Sequence, residues 1–368
     1  MLDPRADKVA QVMVQYSVNV QAGDLVVIKV GDNEAAPMAL AVYRYVLEAG
    51  GHAVFRMFPR GWDEVFYETA SEAQLDIPDT FDMWMNGQAD VTINVGGEVN
   101  PQRLSHIEPA RLARGRSAAG QVWGLWMERQ AAGHLRWTGT KYPTLSAAQN
   151  AGMGLRAYED FVYRTCMAHL DDPVAAWREF EERQQKLVDW LAGKKQMVVK
   201  GENIDLTLGI DGRKFMNSCG KHNMPDGEIF TGPVEDSVNG WVRFTYPAIY
   251  GGKEVSGAEL WFENGRVVKS DAQQGADHLL SVLDTDEGAR TLGEFAIGTN
   301  HEVDRFTRDI LFDEKIGGTV HMAVGLSYPQ TGGLNKSAVH WDMICDMRSG
   351  GEITVDGELF YQDGEFLV

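Results

Sequence analysis

At 368 residues, 44% of them apolar and including 10 Trp and 15 Phe, the chain can build more than one packed core and is too rich in core-forming residues to be disordered. Its net charge of −19 excludes a basic nucleic-acid groove and disfavours attachment to an anionic membrane. Cys166, Cys219 and Cys345, odd in number and far apart, read as reduced thiols, not as a disulfide framework or a structural zinc site.

The opening segment MLDPRADKVAQVMVQY lacks the basic flank and apolar core of a signal peptide. No apolar run approaches the ~20 residues needed to span a bilayer. Both features point to a soluble, cytoplasmic protein. Helical spacing over Ala6–Tyr16 is followed by a short β-branched run from Leu25 to Ile28. A second helical pattern, Glu34–Glu48, ends at Gly50 and Gly51, residues suited to a helix C-terminus. Ala53–Phe58 and Ala89–Val95 read as strands and Arg103–Arg114 as a helix. Helices alternating with short apolar strands predict a parallel sheet with crossover connections. No GxGxxG or GxxxxGK[ST] follows any of these strands, so no nucleotide loop is indicated.

Asp172-Pro173 opens a long helix to about Leu191, with Pro at its first turn. After Gly193 the texture becomes strand-rich, through Met197–Val199, Ile204–Leu208, Ala258–Phe262, Gly265–Lys269, Glu352–Val355 and Glu358–Tyr361. The expected organisation is an α/β N-terminal domain with a parallel sheet over residues 1–172. A strand-rich α+β metal-binding domain is expected over residues 173–368.

The chemistry concentrates in four C-terminal segments: Glu228 in NMPDGEIFTGP, Glu294 in TLGEFAIG, His321 in GGTVHMAVGLSYP, and His340 with Asp342 in SAVHWDM. On a strand, the His-x-Asp spacing points both side chains to one face. Ionisable residues alternating with buried-looking ones need partners, and a divalent metal is a natural one. Glu228 follows the turn sequence Pro225-Asp226-Gly227, where Asp226 reads as a turn residue. Glu235 reads as a cap or a supporting group. Two imidazoles and three carboxylates are enough for one or two open catalytic ions.

These segments, in this order, resemble the thermophilic metalloaminopeptidase family (leucyl aminopeptidases, peptidase family M29). Carrying the resemblance are NMPDGEIFT, the Glu294 segment, the HxAxGxxY stretch His321–Tyr328, the HxD pair, Asp172–Trp177 and Lys141-Tyr142-Pro143-Thr144. The resemblance implies two co-catalytic divalent ions, Zn, Co, Mn or Mg, held by Glu228, Glu294, His321, His340 and Asp342. It implies that Tyr328 matches the family tyrosine near the scissile group; electrostatics then gives its hydroxyl the developing oxyanion to bond, and gives Glu228 or Glu294, where not saturated by metal, the proton of the activated water. Family members also carry a Glu just before the first His; the nearest here is Glu314, after a longer interval. The implied substrate is a peptide with a free N-terminus, and the implied assembly is a homodimer. A competing reading takes His321, His340 and Asp342 as the two-His-one-carboxylate triad of a mononuclear non-haem Fe(II) ring-cleaving dioxygenase of the hydroxypyridine type. A third, a metal-stabilised binding protein without turnover, is opposed by more carboxylates than a closed structural site needs.

Overall fold

The protein is described by a computed structural model covering residues 3–368, and its contacts divide it into two units. The first comprises the chain up to Arg178 together with Gly220–Pro225; the second comprises Glu179–Cys219 and Asp226–Val368. This division falls between Arg178 and Glu179, inside the helix Pro173–Leu191.

In the first unit the Asp3 carboxylate accepts the Arg5 N–H at 2.8 Å and caps the helix Pro4–Val12, whose first residue is a proline. The helix widens into a π-helical turn over Met13–Ser17. A parallel sheet follows, in the order His52–Met57, Leu25–Val30, Val91–Gly96, Arg136–Lys141 and Asn223–Met224. Val26, Val27 and Ile28 are all fully buried, so the Leu25–Val30 strand is covered on both faces, as an apolar run in a parallel sheet requires. The helix predicted over 34–48 is Ala36–Glu48 with a 3₁₀ turn before it.

Two readings change here. The segment expected as a helix over 103–114 is mostly turns until Pro109, whose fixed φ starts a helix that runs to Ala131. Gly115 does not break this helix but lets it approach Tyr67 closely: a Cβ there would lie 2.6 Å from the tyrosine oxygen. The strand Arg136–Lys141 carried no apolar alternation to betray it, because its buried positions are Thr138 and Thr140. The Thr138 hydroxyl donates to the His222 carbonyl at 2.9 Å, so the residue is satisfied inside the sheet.

The second unit contains two larger antiparallel sheets. One has eight strands, including Gln196–Gly201, Ile204–Gly209, Glu259–Glu263 and Glu352–Val355. The other has five, in the order His340–Asp346, Thr319–Gly325, Leu292–Gly298, Glu228–Thr231 and Met216–Ser218. One core joins Leu206, Val242 and Leu260 of the larger sheet to Ile229, Phe295, Ile297, Val320, Met322, Val324, Trp341, Met343 and Cys345 of the smaller. Those nine residues occupy alternate positions on four strands, so they line one face. The other face of the same four strands carries Glu228, Glu294, His321, His340 and Asp342.

Candidate metal centre

Strand register brings those five side chains together. Glu228 pairs with Gly298, Glu294 with Ala323, His321 with Ala296, Asp342 with Ala323 and His340 with Gly325. Each candidate ligand thus has an alanine or glycine on at least one side across the ladder, although His321 also pairs with Ile344 and Glu228 with Ser218. A register shift between Leu292 and Glu294 bends the central strand beside the cluster. Gly227, at φ +133°, turns the chain into the Glu228 strand. A Cβ there would be strained and only 2.6 Å from the Asn300 Cβ.

Gln184 then fixes the start of that strand. Its amide donates to the Glu228 carbonyl at 2.7 Å, the Ser218 carbonyl at 2.8 Å and Asn217 Oδ1 at 2.6 Å. On the far side of the cluster, His340 Nδ1 lies 2.9 Å from the Leu326 carbonyl. Donation to that carbonyl puts the proton on Nδ1 and leaves Nε2 as an electron-pair donor facing the cluster.

His321 is fully buried, with Nε2 3.1 Å from Glu228 Oε2 and 3.4 Å from Glu294 Oε1. His340 stands further out, its Nε2 3.7 Å from Glu294 Oε2 and 3.6 Å from Asp342 Oδ2. Glu314, at the end of the short helix Ile310–Asp313, joins from outside the sheet. Two overlapping donor sets result, Glu228–Glu294–His321 and Glu314–His321–Asp342, each with its ligand atoms within 4.8 Å of one another.

These residues fit divalent metal. Both ring nitrogens of His321, Glu228 Oε2 and Glu294 Oε2 are buried without an aligned hydrogen-bond partner. Buried polar atoms are ordinarily satisfied, and an unpartnered His321 Nε2 gathered with unpartnered carboxylate oxygens of Glu228 and Glu294 calls for a cation. The donor set, imidazole and carboxylate without thiolate, suits Zn, Co, Mn or Mg.

Without metal the charges lean on one another. Burial alone would raise the Glu228 carboxyl, but the Lys315 ammonium and the His321 imidazole override it and hold it at about 2. Burial pushes the Glu314 carboxyl up to about 8 against the pull of Lys315. Burial likewise raises Glu294, opposed by His321 and assisted by Asp342 and Glu228. Burial would lower His321 and His340, yet the facing carboxylates raise both.

Tyr328 is 40% exposed, with its ring edge-on to His340 at 5.2 Å and to Phe230 at 5.7 Å. Desolvation first, and then Glu294, Asp342, Glu314 and Glu228, raise its phenol pKa, so it is a proton donor at neutral pH. The loop after it is braced by Arg213, which donates to the Gly332 carbonyl and pairs with Glu235; Glu235 in turn accepts the Leu334 N–H at 2.7 Å. Glu235 therefore supports the loop and stands outside the ligand sets. Asp226, expected to act only in the turn, does accept the Gly227 N–H at 2.9 Å. It is also 1% exposed and 3.5 Å from Lys315 Nζ. Lys315 itself escaped the sequence reading, because a Glu-Lys pair before two glycines has the composition of a solvated loop.

The profile of the family described as thermophilic metalloprotease (M29) matches residues 2–366. The chain belongs to the M29 thermophilic metalloprotease family. Membership makes it a metal-dependent peptide hydrolase. Among M29 relatives, it is 30% identical to aminopeptidase 2 of Geobacillus stearothermophilus, over 95% of this chain and 93% of that one. It is 28% identical to aminopeptidase AmpS of Bacillus subtilis (strain 168), over 95% and 94%. Its fold superposes on wild-type AmpT from Thermus thermophilus with a TM-score of 0.86, covering 99% of both chains at 22% identity. A 2,5-dihydroxypyridine dioxygenase from Pseudomonas putida KT2440 shares the fold more distantly, at a TM-score of 0.59 and 12% identity, over 99% of this chain and 97% of that one.

Proposed function

We propose that the protein is an aminopeptidase that removes N-terminal residues from peptides at a two-metal centre held by Glu228, Glu294, His321, His340 and Asp342, with Glu314 as a further ligand. The observation that carries this reading is the convergence of unpartnered His321 and carboxylate atoms on one face of the five-stranded sheet. Divalent ions held there would supply Lewis acidity and a water acidified toward neutrality.

The chain's own residues complete the chemistry. Glu294 lies within 3.4 Å of His321 and 3.7 Å of His340, a central position from which one carboxylate can serve both sides of the cluster. Glu228 or Glu294, whichever is not saturated by metal, would take a proton from the attacking water and return it to the leaving amine. Tyr328, protonated at neutral pH and edge-on to His340, would donate its O–H to the oxyanion that develops on the scissile carbonyl.

The same reading takes a peptide with a free N-terminus as substrate, residues 1–172 as the part that shapes the substrate cavity, and a cytoplasmic homodimer as the working form. Glu228 and Glu294, both inside the cluster, favour hydrolysis over a three-ligand iron oxygenase. The test is metal content together with release of the N-terminal residue from an aminoacyl amide. Light scattering that shows a monomer would reject the dimer.

A further inference from the structure

Lys315 sits where its sequence gives no warning of it. The segment DEKIGGTVH ends a short helix and turns through two glycines, yet the Lys315 side chain is 0% exposed. Its Nζ lies 2.6 Å from Glu228 Oε1, 2.7 Å from Glu314 Oε1 and 3.5 Å from Asp226 Oδ1. Burying a lone ammonium is prohibitively costly, so these carboxylates are what keep it there. Glu228 belongs to one of the two donor sets described above and Glu314 to the other. The ammonium therefore touches one carboxylate from each set: a first ion leaves it the carboxylate of the other set, whereas a second ion must take that one as well and enter against its charge.

We propose that Lys315 is a built-in counter-cation that competes with divalent metal for Glu228 and Glu314, making one ion tight and the second weak. The inference rests on the metal-centre reading above and adds two consequences to it. In the metal-free protein Lys315 neutralises the buried carboxylates, so the second unit folds before it is loaded. In the loaded protein, free metal concentration governs occupancy of the weaker position, because the second ion must displace or tolerate the ammonium. A divalent ion and a unit charge about 4 Å apart repel enough to weaken binding ~30-fold even at the dielectric of bulk water.

The test is calorimetric titration of EDTA-stripped, full-length protein with Zn²⁺. Wild type is expected to bind two ions, the second at least ~30-fold more weakly than the first. Lys315→Met should tighten the second ion by about that factor. Stripped Lys315→Met should also melt below stripped wild type, with the gap narrowing once zinc is added. Lys315→Arg, which keeps the charge, should keep the weak second site. An unchanged second affinity in Lys315→Met overturns the proposal while leaving the metal centre standing. Absence of zinc binding by wild type overturns both readings.

If Lys315→Met does not fold, ¹⁵N-lysine NMR of the wild type decides the matter. The Lys315 ammonium resonance should persist through the first equivalent of zinc and shift at the second. A resonance unmoved by both equivalents rules out the competition.

Discussion

His321→Leu tests whether the imidazole is a working partner of the cluster or an incidental core residue. Leucine is similar in volume, so the cavity left behind is small. What is lost is the group 3.1 Å from Glu228 and 3.4 Å from Glu294, both of which are buried. Burial would lower the His321 pKa, but the facing carboxylates raise it, which favours the charged imidazole in the metal-free protein. Removing one partner of a buried charge cluster costs about 3–5 kcal/mol. In a domain of roughly 150–250 residues, each kcal/mol moves the melting temperature by about 2–4 °C. EDTA-stripped His321→Leu should therefore melt ~6–20 °C below stripped wild type by calorimetry. Because both donor sets include His321, the variant should also lose metal from both. A stripped variant that melts with wild type would show that the imidazole carries no balancing charge, and the electrostatic account of the cluster would be wrong.

Tyr328→Phe keeps the ring contacts to His340 and Phe230 and removes only the hydroxyl. It should lower kcat by roughly 10²–10³-fold with KM and metal content nearly unchanged, and full kcat would refute the oxyanion role. Gln184→Leu deprives the Glu228 and Ser218 carbonyls of their donor and should weaken zinc binding by about 10–100-fold. A lower melting temperature with unchanged zinc affinity would make Gln184 purely structural. Burial pushes the Asp313 carboxyl up to about 7, against the Thr307 N–H and O–H that it accepts. The folded state thus holds a proton that the unfolded state has released, and stability falls as pH rises from about 4 through 7, then levels. Asp313→Asn should show a stability advantage that opens across that window, up to ~4 kcal/mol, whereas an advantage independent of pH would contradict the cause assigned.

The candidate ligands were legible because strand periodicity is strict. In SAVHWDM and GGTVHMAVG, ionisable or small residues alternate with Trp341, Met343, Val320, Met322 and Val324. Those five line the core, leaving the alternate positions to the metal face. The crossover strands and helices of the first unit were legible in the same way. Arg136–Lys141 was not, because buried threonines present no hydrophobic signal. The helix Pro109–Ala131 was misplaced because its glycines suggest a break, whereas Gly115 serves close packing on Tyr67. Lys315 was invisible for a different reason. Its meaning depends on Glu228 and Asp226, remote in sequence, and no local pattern distinguishes a buried Glu-Lys pair from a solvated one.

The central claim, a two-ion centre that performs peptide hydrolysis, is tested most directly by one measurement. Purified protein, both as isolated and after saturation with Zn²⁺ or Co²⁺, is assayed for metal per chain by mass spectrometry, in parallel with release of the N-terminal residue from an aminoacyl amide. Two ions per chain with metal-dependent release is the expected result. One iron per chain, no release, and oxygen consumption with a dihydroxypyridine would contradict it.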